Sequence, residues 1–190
     1  MIADESSDER AAARPYSIRP LRPDEWAALR EIRLAALLTE PGMFFSAYAQ
    51  EALLDEDAWR AWIGNPAQCV FGLFHRDELV GITAVYTHRD DPSGRTALFG
   101  STYIDPAHRG RGLTRLLYAA RLDWVRIRPR FGRIVVSHRR SNVASMRAMR
   151  LVGFVETGTQ VRAWPDGRTE DEVLYELDLT RDGRMLDPRR

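Results

Sequence analysis

The chain has 190 residues, 44% of them hydrophobic, a formal net charge of +1 and a mean hydropathy of −0.38. That size allows one domain with a full core and is short for two, and no apolar run approaches the roughly 18 residues that cross a membrane. The near-neutral total hides an asymmetry: residues 109–150 hold 12 Arg and one acid, Asp123, for +11, while the rest hold 16 Arg and 26 acids, for −10. There is no lysine. Such an excess points to a polyanionic partner near one part of the fold, either a phosphate-rich small molecule or a nucleic acid.

The opening MIADESSDERAAARP is charged and lacks the apolar region of a secretory signal, so residues 1–15 are expected to form a disordered tail. Tyr16 to Leu21 alternates as a short strand. Pro23 opens a helix with Asp24 and Glu25 in its first turn, and Trp26, Leu29, Ile32, Leu34 and Ala36 give it an apolar face to about Leu38. Pro41-Gly42 breaks it. Asp55 is placed to N-cap a second helix that stops before Asn65-Pro66. The single cysteine, Cys69, rules out an internal disulfide, suits a reducing cytoplasm and reads as a small buried hydrophobe. Runs from Cys69 to His75 and from Leu79 to Thr87 form a hairpin around Arg76-Asp77-Glu78. After the loop His88–Arg95, Thr96 to Ile104 completes a meander.

Ala107 to Tyr118 reads AHRGRGLTRLLY. From it onward, apolar residues fall at Leu113, Leu116, Leu117, Ala120, Trp124 and Ile127, a helical stripe. Arg128-Pro129 ends that helix, and Arg133 to Ser137 is a short strand. Ser141 or Asn142 caps a further helix that closes at Gly153 before Phe154. Val155 to Trp164 and Asp171 to Leu179 are two last strands around Pro165-Asp166-Gly167. The layout is α+β, a mostly antiparallel sheet with strand–helix–strand–helix in its middle, on one domain spanning 16–180 and followed by a tail at 181–190.

The Gly-Arg stretch is neither a dinucleotide fingerprint, because Arg115 stands at the third glycine, nor a Walker A loop, which needs lysine. What remains is a strand, a short glycine loop and a helix start. The first N–H groups of a helix are unpaired and favour an anion, and arginine suits phosphate geometry.

At this point the residues carry a resemblance. Asp105 to Thr114 resembles the R/Q-x-x-G-x-G/A acetyl-CoA signature of the GNAT superfamily of N-acetyltransferases, with Arg109 at the first position and Gly112 at the middle glycine. Thr114 replaces the usual final small residue, and its β-branched side chain crowds the loop. Asn142 to Phe154 resembles the family's N-x-x-[AS]-x-x-L-Y-x-x-x-G-F helix through Asn142, Ser145, Gly153 and Phe154. Met149 stands where many members carry tyrosine.

The resemblance implies a GNAT-like mixed sheet with splayed parallel strands at its centre and helices on both faces. It implies an enzyme that transfers the acetyl group of acetyl-CoA to an amine by direct attack in a ternary complex, with no metal. The alternative is a GNAT-like acyl-CoA-binding protein without turnover. The pantetheine arm would lie along the backbone at Tyr103 and Ile104, with Asn142 and Ser145 facing it. The pyrophosphate would sit on N–H groups of Arg109, Gly110, Arg111, Gly112, Leu113 and Thr114. A strand N–H near Ile104 would serve the oxyanion. With tyrosine absent at 149, Ser145 is the nearest hydroxyl by spacing to protonate the thiolate, and Tyr118 is second. His138 is the leading general base by its intrinsic pKa, and Glu31, Glu51, Glu56 or a water chain are further candidates. Met43 to Trp62 and the Trp164–Thr169 hairpin would wall the acceptor, a small-molecule or peptide amine. Neither nucleic acid nor membrane is expected as a partner. A cytoplasmic location is expected; the resemblance allows a homodimer, since family members are often dimers, and leaves the oligomeric state open.

Overall fold

The computed structural model describes residues 15–180, so the expected tails at 1–15 and 181–190 lie outside the described residues except for Pro15. Strands β1 (Tyr16–Pro20), β2 (Gln68–His75), β3 (Glu78–Thr87) and β4 (Thr96–Ile104) pair antiparallel in chain order. β5 (Arg133–Arg139) then joins β4 in parallel, and the hairpin of β6 (Val155–Ala163) and β7 (Thr169–Asp178) docks β7 on β5. The sheet order is β1-β2-β3-β4-β5-β7-β6. A parallel neighbour requires a crossover, and α4 (Thr114–Arg126) provides it. The remaining helices are α1 (Trp26–Thr39), α2 (Tyr48–Glu51), α3 (Glu56–Gly64) and α5 (Val143–Val152).

Helices cover both faces, and the strands show it by alternation. Val70 packs with Leu29, Ile32, Trp59 and Ile63 of α1 and α3. Its neighbour Phe71 packs with Tyr118, Leu122 and Val125 of α4. Successive strand residues point to opposite faces, so the two cores are separate layers. The caps follow the sequence. Asp55 accepts from the Ala58 N–H at 2.9 Å, and Asn142 rather than Ser141 caps α5 by accepting from Ser145 N–H at 3.1 Å. Gly153 ends α5 at φ 98°, in the left-handed region.

Three details depart from the sequence reading. Pro23–Glu25 forms a 3-10 turn before α1, and α2 is an extra single turn. The apolar stripe of α4 is wider and stops earlier than the sequence reading: Leu113, Leu117 and Trp124 are buried as expected, Tyr118, Arg121, Leu122 and Val125 are buried as well, and Ile127 lies beyond the helix and is 75% exposed. Among the described residues, no helix is long and apolar enough to cross a membrane.

Candidate active site

The parallel pairing of β4 and β5 is short. Thr96, Ala97 and Leu98 pair with Arg133, Ile134 and Val135, after which β4 continues unpaired with β5 to Ile104 and β5 to Arg139. A cleft opens between them. Its inner part is a cavity of about 330 Å³ lined by Gly100 to Thr102 of β4, Val136 to His138 of β5, and Ala148 and Met149 of α5. Its outer part runs past Tyr103 and Ile104 to Arg109, Gly110, Gly112 and Thr114. Thr102, Thr114, Asn142, Ala144 and Ser145 border both parts, so the two are continuous.

A bulge interrupts β4 at the cleft. Ile82 pairs with Tyr103 and Ala84 with Gly100, which leaves Thr83 opposite both Ser101 and Thr102. Ser101 takes φ 52°, a conformation uncommon for residues with a Cβ. The bulge is pinned by side chains: Tyr86 Oη to Ser101 Oγ at 2.8 Å, and Thr83 Oγ1 to Thr102 Oγ1 at 2.8 Å. A bulge leaves its extra residue out of the ladder, so β4 has unpaired backbone here, deeper than the Ile104 region expected. The Ile104 carbonyl accepts from Arg109 Nε at 2.8 Å. Tyr103 is buried, and its hydroxyl is 3.3 Å from Thr39 Oγ1.

The Gly-Arg loop follows β4 through a 3-10 turn at Pro106–His108. Gly110 and Gly112 take φ 75° and 71°, which glycine adopts without steric penalty. No heavy atom lies within 4 Å of where a Cβ would stand on either. From Gly110 through Thr114 the backbone N–H groups donate to no described residue, the first donor beyond them being Arg115 to the Gly112 carbonyl. Five successive N–H groups without a partner among the described residues lie around the first turn of α4, an arrangement that suits an anion. Arg109 is paired rather than free, its Nη1 being 2.8 Å from Glu40 Oε1. Arg111 is exposed, and Leu113 is buried with Leu73, Val80 and Leu117, anchoring the loop. Thr114 opens α4.

Across the cleft, the Ser145 hydroxyl has no hydrogen-bond partner among the described residues, its backbone N–H being taken by Asn142. Met149 is buried, so no hydroxyl stands at that position. His138 is buried and stacked 5.2 Å from the Tyr175 ring. Its Nδ1 lies 2.7 Å from the Arg139 carbonyl, which only accepts, so Nδ1 carries a hydrogen there. That Nε2 is buried without a partner. Burial pushes the Tyr118 hydroxyl pKa up against the opposing pull of Arg121, so it stays protonated.

The two expected acceptor walls meet. Phe45 stacks on Trp164 at 5.4 Å, and Phe44 and Met43 line the same cavity, whereas Trp59 is core. Arg139 locks this corner, bound to Asp166 at 2.6 Å, Glu170 at 2.5 Å and the Gly42 carbonyl at 3.2 Å. Glu51, a candidate base, is tied to Arg33 at 2.7 Å; it, Glu31 and Glu56 are outside the lining of either cleft region. Sequence reasoning misses the bulge and the burial of Arg121, neither of which has a local signature.

The sequence model of the acetyltransferase (GNAT) family matches residues 26–154. The chain belongs to the GNAT acetyltransferase family. No curated protein sequence matches it. Solved structures share the GNAT architecture. Salmonella typhimurium yncA, a putative acetyltransferase solved with acetyl-CoA, superposes with a TM-score of 0.75 at 23% identity, covering 90% of this chain and 98% of its own. The ribosomal-protein-alanine N-acetyltransferase of Brucella melitensis gives 0.74 at 23% identity, over 86% and 99%. Mycobacterium smegmatis RimJ, solved with a CoA disulfide, gives 0.69 at 22% identity, over 90% and 85%. At these identities the likeness is one of fold.

Proposed function

We propose that this GNAT chain is an acetyl-CoA-dependent N-acetyltransferase acting on a small-molecule or peptide amine. The observation that carries the reading is the row of free N–H groups from Gly110 to Thr114 at the outer end of the cleft. It suits a pyrophosphate, with Arg111 adding charge at the surface and Arg109 shaping the loop through Glu40 and the Ile104 carbonyl. The pantetheine arm runs inward along Tyr103 and Ile104, opposite Asn142 and Ser145, which brings the thioester to the bulge at Ser101–Thr102.

The acceptor amine enters beside Phe44, Phe45 and Trp164. It loses a proton, attacks the thioester carbonyl, and the carbon–sulfur bond breaks to release the thiolate. Unpaired backbone at the bulge serves the oxyanion. His138 Nε2 accepts the amine proton, and Ser145 protonates the thiolate in place of the tyrosine that Met149 replaces. The buried Met149 favours one second reading, an acyl-CoA-binding protein without turnover.

Single-turnover thioester loss across a broad amine panel, with products read by mass shift, separates the two. Acetylated product supports the enzyme; acetyl-CoA binding with no loss across the panel supports the binder.

A further inference from the structure

The cleft holds one charge that the transfer chemistry leaves unused. Arg121 of α4 is 1% exposed, and burial pushes its pKa down, opposed only by Tyr118. Its guanidinium lies 4.4 Å from the ring centres of both Phe99 and Tyr118. Nε donates to the Leu117 carbonyl and Nη1 to Thr102 Oγ1, each at 3.3 Å, while buried Nη2 donates to nothing. No described carboxylate forms an ion pair with it. The other arginine of this wall, Arg33, is held at two points by Glu51, at 2.8 and 2.7 Å. None of the residues lining the inner cavity is Asp or Glu. In the outer part the one acid is Glu40, paired with Arg109.

A guanidinium taken out of water without a counter-charge is costly, and stacking on two rings recovers only part of that cost. The same charge repels an ammonium brought into the cavity with no acid to offset it. A carboxylate there meets the opposite field, and the Thr102 hydroxyl, which accepts from Nη1, lines the same cavity.

We infer that the inner cleft takes a substrate bearing a carboxylate, seated beside Thr102 in the field of Arg121, and disfavours purely cationic amines. This rests on the acetyltransferase reading. The carboxylate arrives either on the acceptor, as in a free amino acid, or on the acyl group, as in a dicarboxylic acyl thioester. Either source sets the same group against the same guanidinium.

The test uses the full chain in two arms. In the first, acetyl-CoA is the donor and each amino acid is compared with its own amide, for example methionine with methioninamide. The acid is expected to give a kcat/KM at least about tenfold higher, although the amide's amine is less basic and more often neutral. In the second, succinyl-CoA is compared with acetyl-CoA by calorimetric binding, and a preference of at least about tenfold for succinyl-CoA puts the carboxylate on the donor. Arg121→Met is expected to collapse whichever ratio is found to near one, and Arg121→Lys to restore part of it. Ratios within twofold in both arms, or a ratio that survives in Arg121→Met, overturn the inference. If Arg121→Met does not fold, the two wild-type ratios still decide it. Failure of acetyl-CoA to bind at all is a different result, and it removes the acetyltransferase reading itself.

Discussion

Replacing Gly112 by alanine tests the proposed seat for the acetyl-CoA pyrophosphate. Gly112 sits at φ 71° with no heavy atom within 4 Å of where a Cβ would stand, so alanine clashes with nothing and the cost is the left-handed backbone alone. That cost is about 1–2 kcal/mol for an L-residue. It must appear in one of two places. If the loop keeps its shape, the free protein loses about 2–8 °C of Tm, at about 2–4 °C per kcal/mol for a chain of this size. If the loop relaxes, the N–H groups from Gly110 to Thr114 change direction and the Kd for acetyl-CoA rises about 5- to 30-fold, at about 1.4 kcal/mol per decade. Gly94 is the control. It has φ 66°, equally open surroundings and a place in the β3–β4 loop away from the cleft. Gly94→Ala is expected to lower Tm without changing the Kd. Scanning calorimetry and titration calorimetry with acetyl-CoA read both variants. A Gly112→Ala protein with Tm within about 1 °C of the parent and an unchanged Kd would refute the reasoning.

Three further outcomes are expected. Ser145→Ala lowers kcat by about 100-fold, the low end of general-acid effects, because a thiolate leaves readily; an unchanged kcat removes Ser145 and leaves Tyr118 as the donor. The Glu25 carboxyl is held down at about 2, chiefly by its hydrogen bonds from Arg19 at 2.7 and 2.8 Å. A depressed carboxylate stabilises fully above its unfolded pKa of about 4.3 and loses that contribution as pH falls toward 2. Glu25→Gln therefore lowers Tm at pH 7, by about 1 kcal/mol in stability since Arg19 is partly exposed, and the gap to the parent closes between about pH 4.3 and 2; a gap independent of pH contradicts the assignment. Cys69 is pushed up to about 11 by burial, so iodoacetamide at pH 8 is expected to label the native chain slowly and the unfolded chain at one site. Fast native labelling would contradict its partial burial and raised pKa.

Much of the fold is legible in the sequence because local chemistry decides it. Asp55 and Asn142 stand where a helix needs an acceptor for its first N–H groups, and Gly153 stands where a left-handed residue must close one. The apolar runs from Cys69 to Ile104, broken at Arg76–Glu78 and His88–Arg95, announce a meander. Other features depend on partners distant in sequence. The bulge at Ser101–Thr102 exists because Thr83 faces two residues, a matter of register between strands. Arg121 is, by sequence, one arginine of a basic window. Its burial requires Phe99 from β4 on one side and Tyr118 from its own helix on the other. The buried state of His138 likewise needs the Tyr175 ring of β7. Arg109 reads as charge for a phosphate, and only the fold brings Glu40 to within 2.8 Å of it.

The most direct test of the central claim is calorimetric titration of the full chain with acetyl-CoA, paired with thermal melts. One site per chain is expected. At ligand about 100-fold above Kd, mass action adds about 2.7 kcal/mol to the native state, a rise in Tm of about 5–10 °C. No heat of binding and an unmoved melt at millimolar acetyl-CoA and CoA would contradict the account.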